Sequence, residues 1–260
     1  MGNACSMHSM FRTLAARNWA RARAGIHVQS SLTLASRVLG MVRDILLVAR
    51  IGAGPVGDAW ATAQQFPNLF RRIFAEGAFA SAFVPTYART LEAEGPEAAR
   101  AVAQEAMRVL FAATAALTIL AQIFMPWVLL LIHGGQADDA ENYNLAVFLT
   151  RVTMPYLTFM ALAALLSGVL NSSERFILSA GVPTILNLCL IPAAFVSPDP
   201  VITAKAASIA YFIAGVLQAG ALWWGVRRQK VHLSLIGLPR LTPAVKKVML
   251  LALPGTIAAS

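Results

Sequence analysis

SSLTLASRVLGMVRDILLVARIGAGPVGDAWATAQQFPNLFRRIFAE, residues 30–76, is the stretch on which the reading of this chain turns. It is apolar enough to enter a membrane, yet Arg37, Arg43, Asp44, Arg50, Asp58, Arg71, Arg72 and Glu76 are spaced along it. A charge at bilayer depth costs about 3 kcal/mol or more unless it faces protein, water or a charged ligand. The direction in which these side chains point therefore decides the fold.

On a helix advancing about 100° per residue, Leu32 to Ile51 gathers Ser36, Arg37, Gly40, Arg43, Asp44 and Arg50, with Ser30 just before it, within roughly 160°. Leu34, Val38, Met41, Val42, Ile45, Leu46 and Ala49 fill the remaining arc. Treated as one helix, Asp58 to Pro85 gathers Asp58, Gln64, Gln65, Asn68, Arg71, Arg72 and Glu76 within roughly 140°. The pattern predicts two apolar helices whose polar stripes turn inward onto one wet, cationic cavity. Pro67 lacks a backbone donor and is expected to kink the second helix. Two amphipathic helices lying on a membrane surface would also carry such stripes. Here, however, several purely apolar runs of bilayer length follow them. Asp44, Asp58 and Glu76 are too few to neutralise Arg37, Arg43, Arg50, Arg71 and Arg72, so the stripes keep a positive surplus.

The composition agrees with a polytopic all-α membrane protein. Of 260 residues, 58% are hydrophobic and 13% charged, against about 25% charged in soluble domains. The net charge of +9 fits basic loops and the charged stripes. No nucleic-acid-binding motif accompanies it, and no nucleic-acid partner is expected. Cys5 and Cys189 lie far apart in the chain, without metal-ligand neighbours. His27, His133 and His232 have no partner pattern, and the sequence contains no Gly-rich phosphate loop, HExxH, nucleophile elbow or pair of catalytic carboxylates. Neither an enzyme, a cofactor nor a metal is expected. MGNACS matches the short myristoylation pattern, with Cys5 placed for palmitoylation; a start at Met7 or Met10 is the competing reading. No secretory signal is expected before residue 30.

In chain order the reading is a basic cytoplasmic lead (1–26), six transmembrane helices (27–226), a basic cytoplasmic loop (227–247) and the start of a seventh transmembrane helix (248–260). After the striped helices, residues 87–108 read as a solvated loop and short helix. Further spans are expected over about 109–132, 145–170, 176–196 and 201–226, each long enough to cross a hydrocarbon core of about 30 Å. The N-terminus, 89–108, Arg175 and 227–247 are basic, whereas 51–57, 133–144 and 197–200 contain no lysine or arginine. This asymmetry puts the N-terminus in the cytoplasm. Ser167, Gly168 and Gly215 are expected to let helices approach closely, and Tyr156 to pack.

Three blocks in the opening stretch carry a resemblance: SRVLGMVRD (36–44), GAGPVGDAW (52–60) and PNLFRRIFAEGAFASAFVP (67–85). They closely resemble the MurJ (MviN) family of bacterial lipid II flippases. The likeness continues more loosely through MPYLTFMALAALLSGVLNSSERF (154–176) and PTILN (183–187). The resemblance implies a two-lobed fold of fourteen transmembrane helices, in the multidrug/oligosaccharidyl-lipid/polysaccharide exporter superfamily. It implies alternating-access transfer of lipid II, the undecaprenyl-pyrophosphate-linked peptidoglycan precursor, between leaflets of the bacterial cytoplasmic (inner) membrane for cell-wall synthesis. It implies that Arg37, Arg43 and Arg71 are the required cavity arginines and that Asp44, Asp58 and Glu76 are their acidic neighbours. Family chains are about twice as long, and their second lobe supplies a further cavity arginine and the region for a coupling ion or use of the membrane potential. The chain thus reads as an N-lobe ending in the seventh helix.

Chemistry independent of the resemblance points the same way. A lipid pyrophosphate carries negative charge out of one headgroup region into another, and arginine forks give bidentate, charge-assisted bonds to phosphate oxygens. Partial pairing with the acids would keep the grip reversible. A drug or cation antiporter would want acidic cavity residues instead. A membrane phosphatase would want arginines plus a nucleophile or a histidine–carboxylate pair, which the four histidines do not supply. An exporter of another polyprenyl-linked saccharide, or an inactive N-lobe fragment, is the alternative.

Overall fold

The computed structural model describes residues 31–74, 78–132, 140–173, 176–243, 245, 246 and 248, with the side chains of 70–74, 78, 80 and 176 outside that description. Among the described residues there is no strand; the helices are α1 (31–51), α2 (Pro55–Phe74), α3 (Ala78–Ala93), α4 (Pro96–Ile132), α5 (Ala140–Thr153), α6 (Tyr156–Ser172), α7 (Phe176–Ala193) and α8 (Pro200–Arg228), with residues 243, 245, 246 and 248 also helical.

The helix ends follow from local chemistry. Between α1 and α2, Gly52 and Gly54 adopt φ of +82° and +134°, values that glycine takes without a Cβ penalty. Pro96, at the first position of α4, needs no backbone donor there. The Asp199 carboxylate accepts from the Val201 and Ile202 amides at 2.7 and 3.4 Å and caps α8.

Helix α6 is the axis of the bundle. It is apolar all round, with Tyr156, Leu157, Ala161, Leu165, Leu166, Val169 and Leu170 among its buried residues. It packs against α2, α3, α4, α7 and α8. Small residues permit the close approaches. A Cβ added to Gly168 would lie 3.0 Å from Phe83, one on Gly215 2.9 Å from Tyr156, and one on Gly225 2.2 Å from Leu178. Gly168 and Gly215 thus behave as the sequence predicts. Tyr156 packs edge-on to Tyr211, and its hydroxyl donates to Gln218 Oε1 at 3.2 Å. Gln218 Nε2 donates on to the Val182 carbonyl at 3.0 Å. This buried chain ties α6, α7 and α8 together.

The exterior is inverted relative to a soluble protein. Leu34, Val38, Met41, Ile45 and Val48 of α1 are exposed, as are Ile119, Leu120, Ile123 and Trp127 of α4 and Ile202, Ile209 and Leu217 of α8. Apolar belts of this kind suit hydrocarbon. Among the described residues, three helical segments can cross a membrane by length and composition: Pro96–Ile132, Ala140–Ser172 and Pro200–Arg228; Ile177–Ala193 is a shorter apolar helix.

Several expected boundaries change. Asp58–Pro85, read as one span, is divided between α2 and α3, and α2 continues through the buried Pro67 to Phe74. Residues 87–108 are not a solvated loop with a separate short helix. Tyr87 is buried in α3, and the chain turns at Gly95. Residues 96–108 are the opening turns of α4. Ala99, Ala103, Ala106 and Met107 are fully buried there, so an alanine stripe at helical spacing hides beneath the charges that suggested solvation. The span expected over 145–170 is interrupted at Met154–Pro155 between α5 and α6. The loop after α8 is also anchored. Arg100 Nε donates to the His232 carbonyl at 2.9 Å, Arg108 donates to the Ser234 and Ile236 carbonyls, and Thr242 donates to Glu105 at 2.7 Å. The run expected from 248 onward lies, beyond Val248 itself, outside the described residues.

Candidate functional site

Helix α1 turns its apolar arc outward, and its polar arc faces α7 and α2. Between these helices lies a cavity of about 410 Å³, lined by Thr33, Ser36, Arg37, Gly40 and Arg43 of α1, Asn68 of α2, and Ser179, Pro183 and Asn187 of α7, among others.

Arg43 is the best-held charge in it. Its side chain is only 15% exposed. Nε donates to Asp44 Oδ1 at 2.9 Å, Nη2 lies 2.8 Å from the same oxygen, and Nη1 donates to Asn187 Oδ1 at 2.9 Å. Asn187 is 3% exposed. Its Nδ2 donates to the Ser36 carbonyl at 2.8 Å, so one amide clamps Arg43 and fastens α7 to α1. A guanidinium presents a fork of N–H donors, and these contacts do not exhaust it. Arg43 is thus oriented by a neutral amide and a single carboxylate, leaving donor capacity for an anion.

The other expected residues are placed as follows. Arg37 lines the same cavity and is exposed. Asp44 is 56% exposed and serves as the partner of Arg43. Asp58 is exposed in the first turn of α2 and does not line the cavity. Ten residues of helix, about 15 Å of rise, separate it from Asn68. Arg71 lies on α2 three positions beyond Asn68; its side chain, like those of Arg72 and Glu76, is outside the described residues. Arg50, part of the α1 stripe, instead places its guanidinium 5.4 Å from the Phe195 ring centre. Of the predicted stripes, Ser36, Arg37, Gly40 and Arg43 of α1 and Asn68 of α2 are therefore brought to one cavity, while Asp58 and Arg50 stand apart.

Sequence reasoning missed the contribution of α7. Asn187 and Ser179 sit in a run of apolar residues with no polar stripe, and nothing in its periodicity singles them out. A lone asparagine amid FILSAGVPTILNLCLIPA was the available signal, since an amide at membrane depth needs partners.

A family profile described as "Lipid II flippase MurJ" matches residues 47–260. The chain belongs to the MurJ family. A "Probable lipid II flippase MurJ" of Rhizobium tropici is 43% identical over 233 residues, covering 86% of this chain and 43% of that protein. The "Lipid II flippase MurJ" of Burkholderia cenocepacia is 37% identical, covering 89% of this chain and 46% of the relative. A solved structure described as "Lipid II flippase MurJ, inward closed conformation" superposes with a TM-score of 0.72 at 26% identity, over 89% of this chain and 47% of that one. The chain therefore spans about half the length of the MurJ relatives it matches, and it corresponds to their N-terminal half. The all-α exporter-type fold read from the sequence is that of the solved MurJ structure.

Proposed function

We propose that this chain forms one wall of the path by which the pyrophosphate head of lipid II crosses the bacterial cytoplasmic membrane. The observation that carries the reading is the α1–α2–α7 cavity. It presents Arg37 and a clamped, partly shielded Arg43 to a space large enough for a phosphorylated headgroup. Arginine favours planar, bidentate recognition of phosphate oxygens, and Arg71, one turn past Asn68, is the third residue proposed to contribute. Asp44 offsets the charge of Arg43 between substrates, which keeps binding reversible; Asp58 and Glu76 are proposed to act in other conformations of the cycle.

In this proposal residues 27–226 make six membrane crossings with the N-terminus in the cytoplasm, and a second lobe completes the alternating-access pathway. The process is translocation without bond cleavage, drawing on a coupling ion or the membrane potential, and a protein of this kind needs no resident cofactor. The test uses vesicles reconstituted with a full-length form carrying this chain and supplied with the lipid-linked precursor. Precursor accessibility at the far leaflet should rise without phosphate release, and Arg43→Ala should abolish the rise. Phosphate release in step with substrate loss would establish an enzyme instead. Equal transport of a polyprenyl-linked saccharide unrelated to peptidoglycan would broaden the substrate class.

A further inference from the structure

A second concavity lies between α7 and α8, on the outward side of the bundle. It encloses about 700 Å³, within the roughly 300–1,000 Å³ typical of small-molecule sites. Ile177, Leu178, Gly181, Val182 and Ile185 line it from α7, and Trp224, Gly225 and Arg228 from α8. Its floor exists because Gly225 lets the helices meet, a Cβ there falling 2.2 Å from Leu178. Its lining is apolar along its length and cationic at one end only.

The charged end has a defined geometry. The Arg228 guanidinium carbon lies 3.9 Å from the Trp224 ring centre. Stacking uses the face of the guanidinium and leaves the in-plane N–H donors available. No described carboxylate pairs with Arg228; the described ion pairs are Arg43–Asp44 and Arg100–Glu97. Arg227 lies over Trp223 at 5.8 Å, off the groove lining. Tryptophans beside arginines at a helix end mark the level where hydrocarbon meets headgroups. Trp224 and Ile177 are 53% and 62% exposed, so the groove opens sideways onto the surface that meets acyl chains.

We propose that this groove is a binding site for an anionic phospholipid, with an acyl chain along Ile177, Gly181 and Ile185 and its phosphodiester on the free edge of Arg228. Charge complementarity selects the occupant: a soluble apolar ligand leaves Arg228 without a counter-ion at the membrane interface, and a zwitterionic lipid offsets its own phosphate. One basic residue acting on an anionic headgroup gives about fivefold preference.

The test reconstitutes the chain in phosphatidylcholine vesicles containing a fixed fraction of acyl-brominated lipid, and compares it with Trp224→Phe to isolate quenching at Trp224. Brominated phosphatidylglycerol should be favoured over brominated phosphatidylcholine by about fivefold. Arg228→Gln should bring the two lipids to parity, whereas Arg227→Gln should leave the preference intact. Gly181→Leu fills the groove where an added Cβ meets no atom within 4 Å, so the fold is kept while quenching by both lipids falls. Parity in the unaltered chain, or a preference surviving Arg228→Gln, overturns the proposal. So does equal loss on Arg227→Gln, which would mean diffuse surface charge. Quenching abolished alongside self-association would assign the groove to a second copy of the chain, and the lipid site would be wrong.

Discussion

At the scale of single residues, the cavity depends on Arg43 and the amide that holds it. Arg43→Lys keeps the charge but replaces a planar fork with a point donor. It also cannot reach Asp44 and Asn187 in the same way. In a flippase-depleted strain complemented by a full-length form carrying this chain, Arg43→Lys should rescue growth only in part and Arg43→Ala not at all, with protein still present in the membrane. Asn187→Leu removes an acceptor from a guanidinium and a donor from the Ser36 carbonyl. Losing a hydrogen bond to a charged group costs about 1.5–3 kcal/mol. Asn187→Leu should therefore lower both complementation and thermal stability, whereas Asp58→Asn, exposed and away from the cavity, should leave stability unchanged. A fully active Asn187→Leu form would show that Arg43 needs no clamp.

At the scale of elements, helix contact rests on small residues and on the segment after α8. Gly225→Val places branched carbons where Leu178 already stands. Overpacking of this kind costs about 1–3 kcal/mol, and it should lower the melting temperature in detergent. Gly220→Ala, where an added Cβ meets nothing within 4 Å, should not. The segment after α8 is held by donors from α4, with Leu233 5% exposed beneath it. Arg108→Ala removes donors to two of its carbonyls, at Ser234 and Ile236. Limited trypsin digestion should then cut at Lys230 or Arg240 several times faster than in the unaltered chain. An unchanged cleavage rate would place the anchor elsewhere, in Arg100 or Leu233.

At the scale of the whole molecule, α8 has 29 residues and rises about 43 Å, enough to carry its two ends to opposite faces of a bilayer. In a form without Cys5 and Cys189, single cysteines at Ser197 and Gln229 should label from opposite sides, with Gln229 on the cytoplasmic side. Labelling from one side would refute the proposed topology. The cavity has walls from α1, α2 and α7 only, among the described residues, and alternating access rocks two bodies about a shared site. Expressed by itself, the chain is expected not to rescue a flippase-depleted strain. Rescue would mean that two copies enclose the cavity between them.

How far the sequence reached can be seen from particular residues. The arcs of residues 32–51 determined which side of α1 is polar, because helical periodicity is local and a charged stripe has no stable place in hydrocarbon. The glycines at 168 and 215 were legible for a similar reason, since a missing side chain within an apolar run signals close approach. The blocks at 36–44 and 67–85 made the family legible from residues alone. The structure alone decided which stripe residues converge. Arg37 and Arg43 share a cavity with Asn68, while Arg50 turns to Phe195 and Asp58 stands at the far end of α2. It alone also showed that Asn187 is the partner of Arg43, 144 positions away. A hydrogen bond across that separation leaves no periodic trace, because it depends on how α1 and α7 are set side by side. Likewise the charges of 97–108 looked solvated until packing revealed the alanine stripe beneath them. Local pattern fixed which face of α1 is polar; only the packing of helix on helix determined what that face touches.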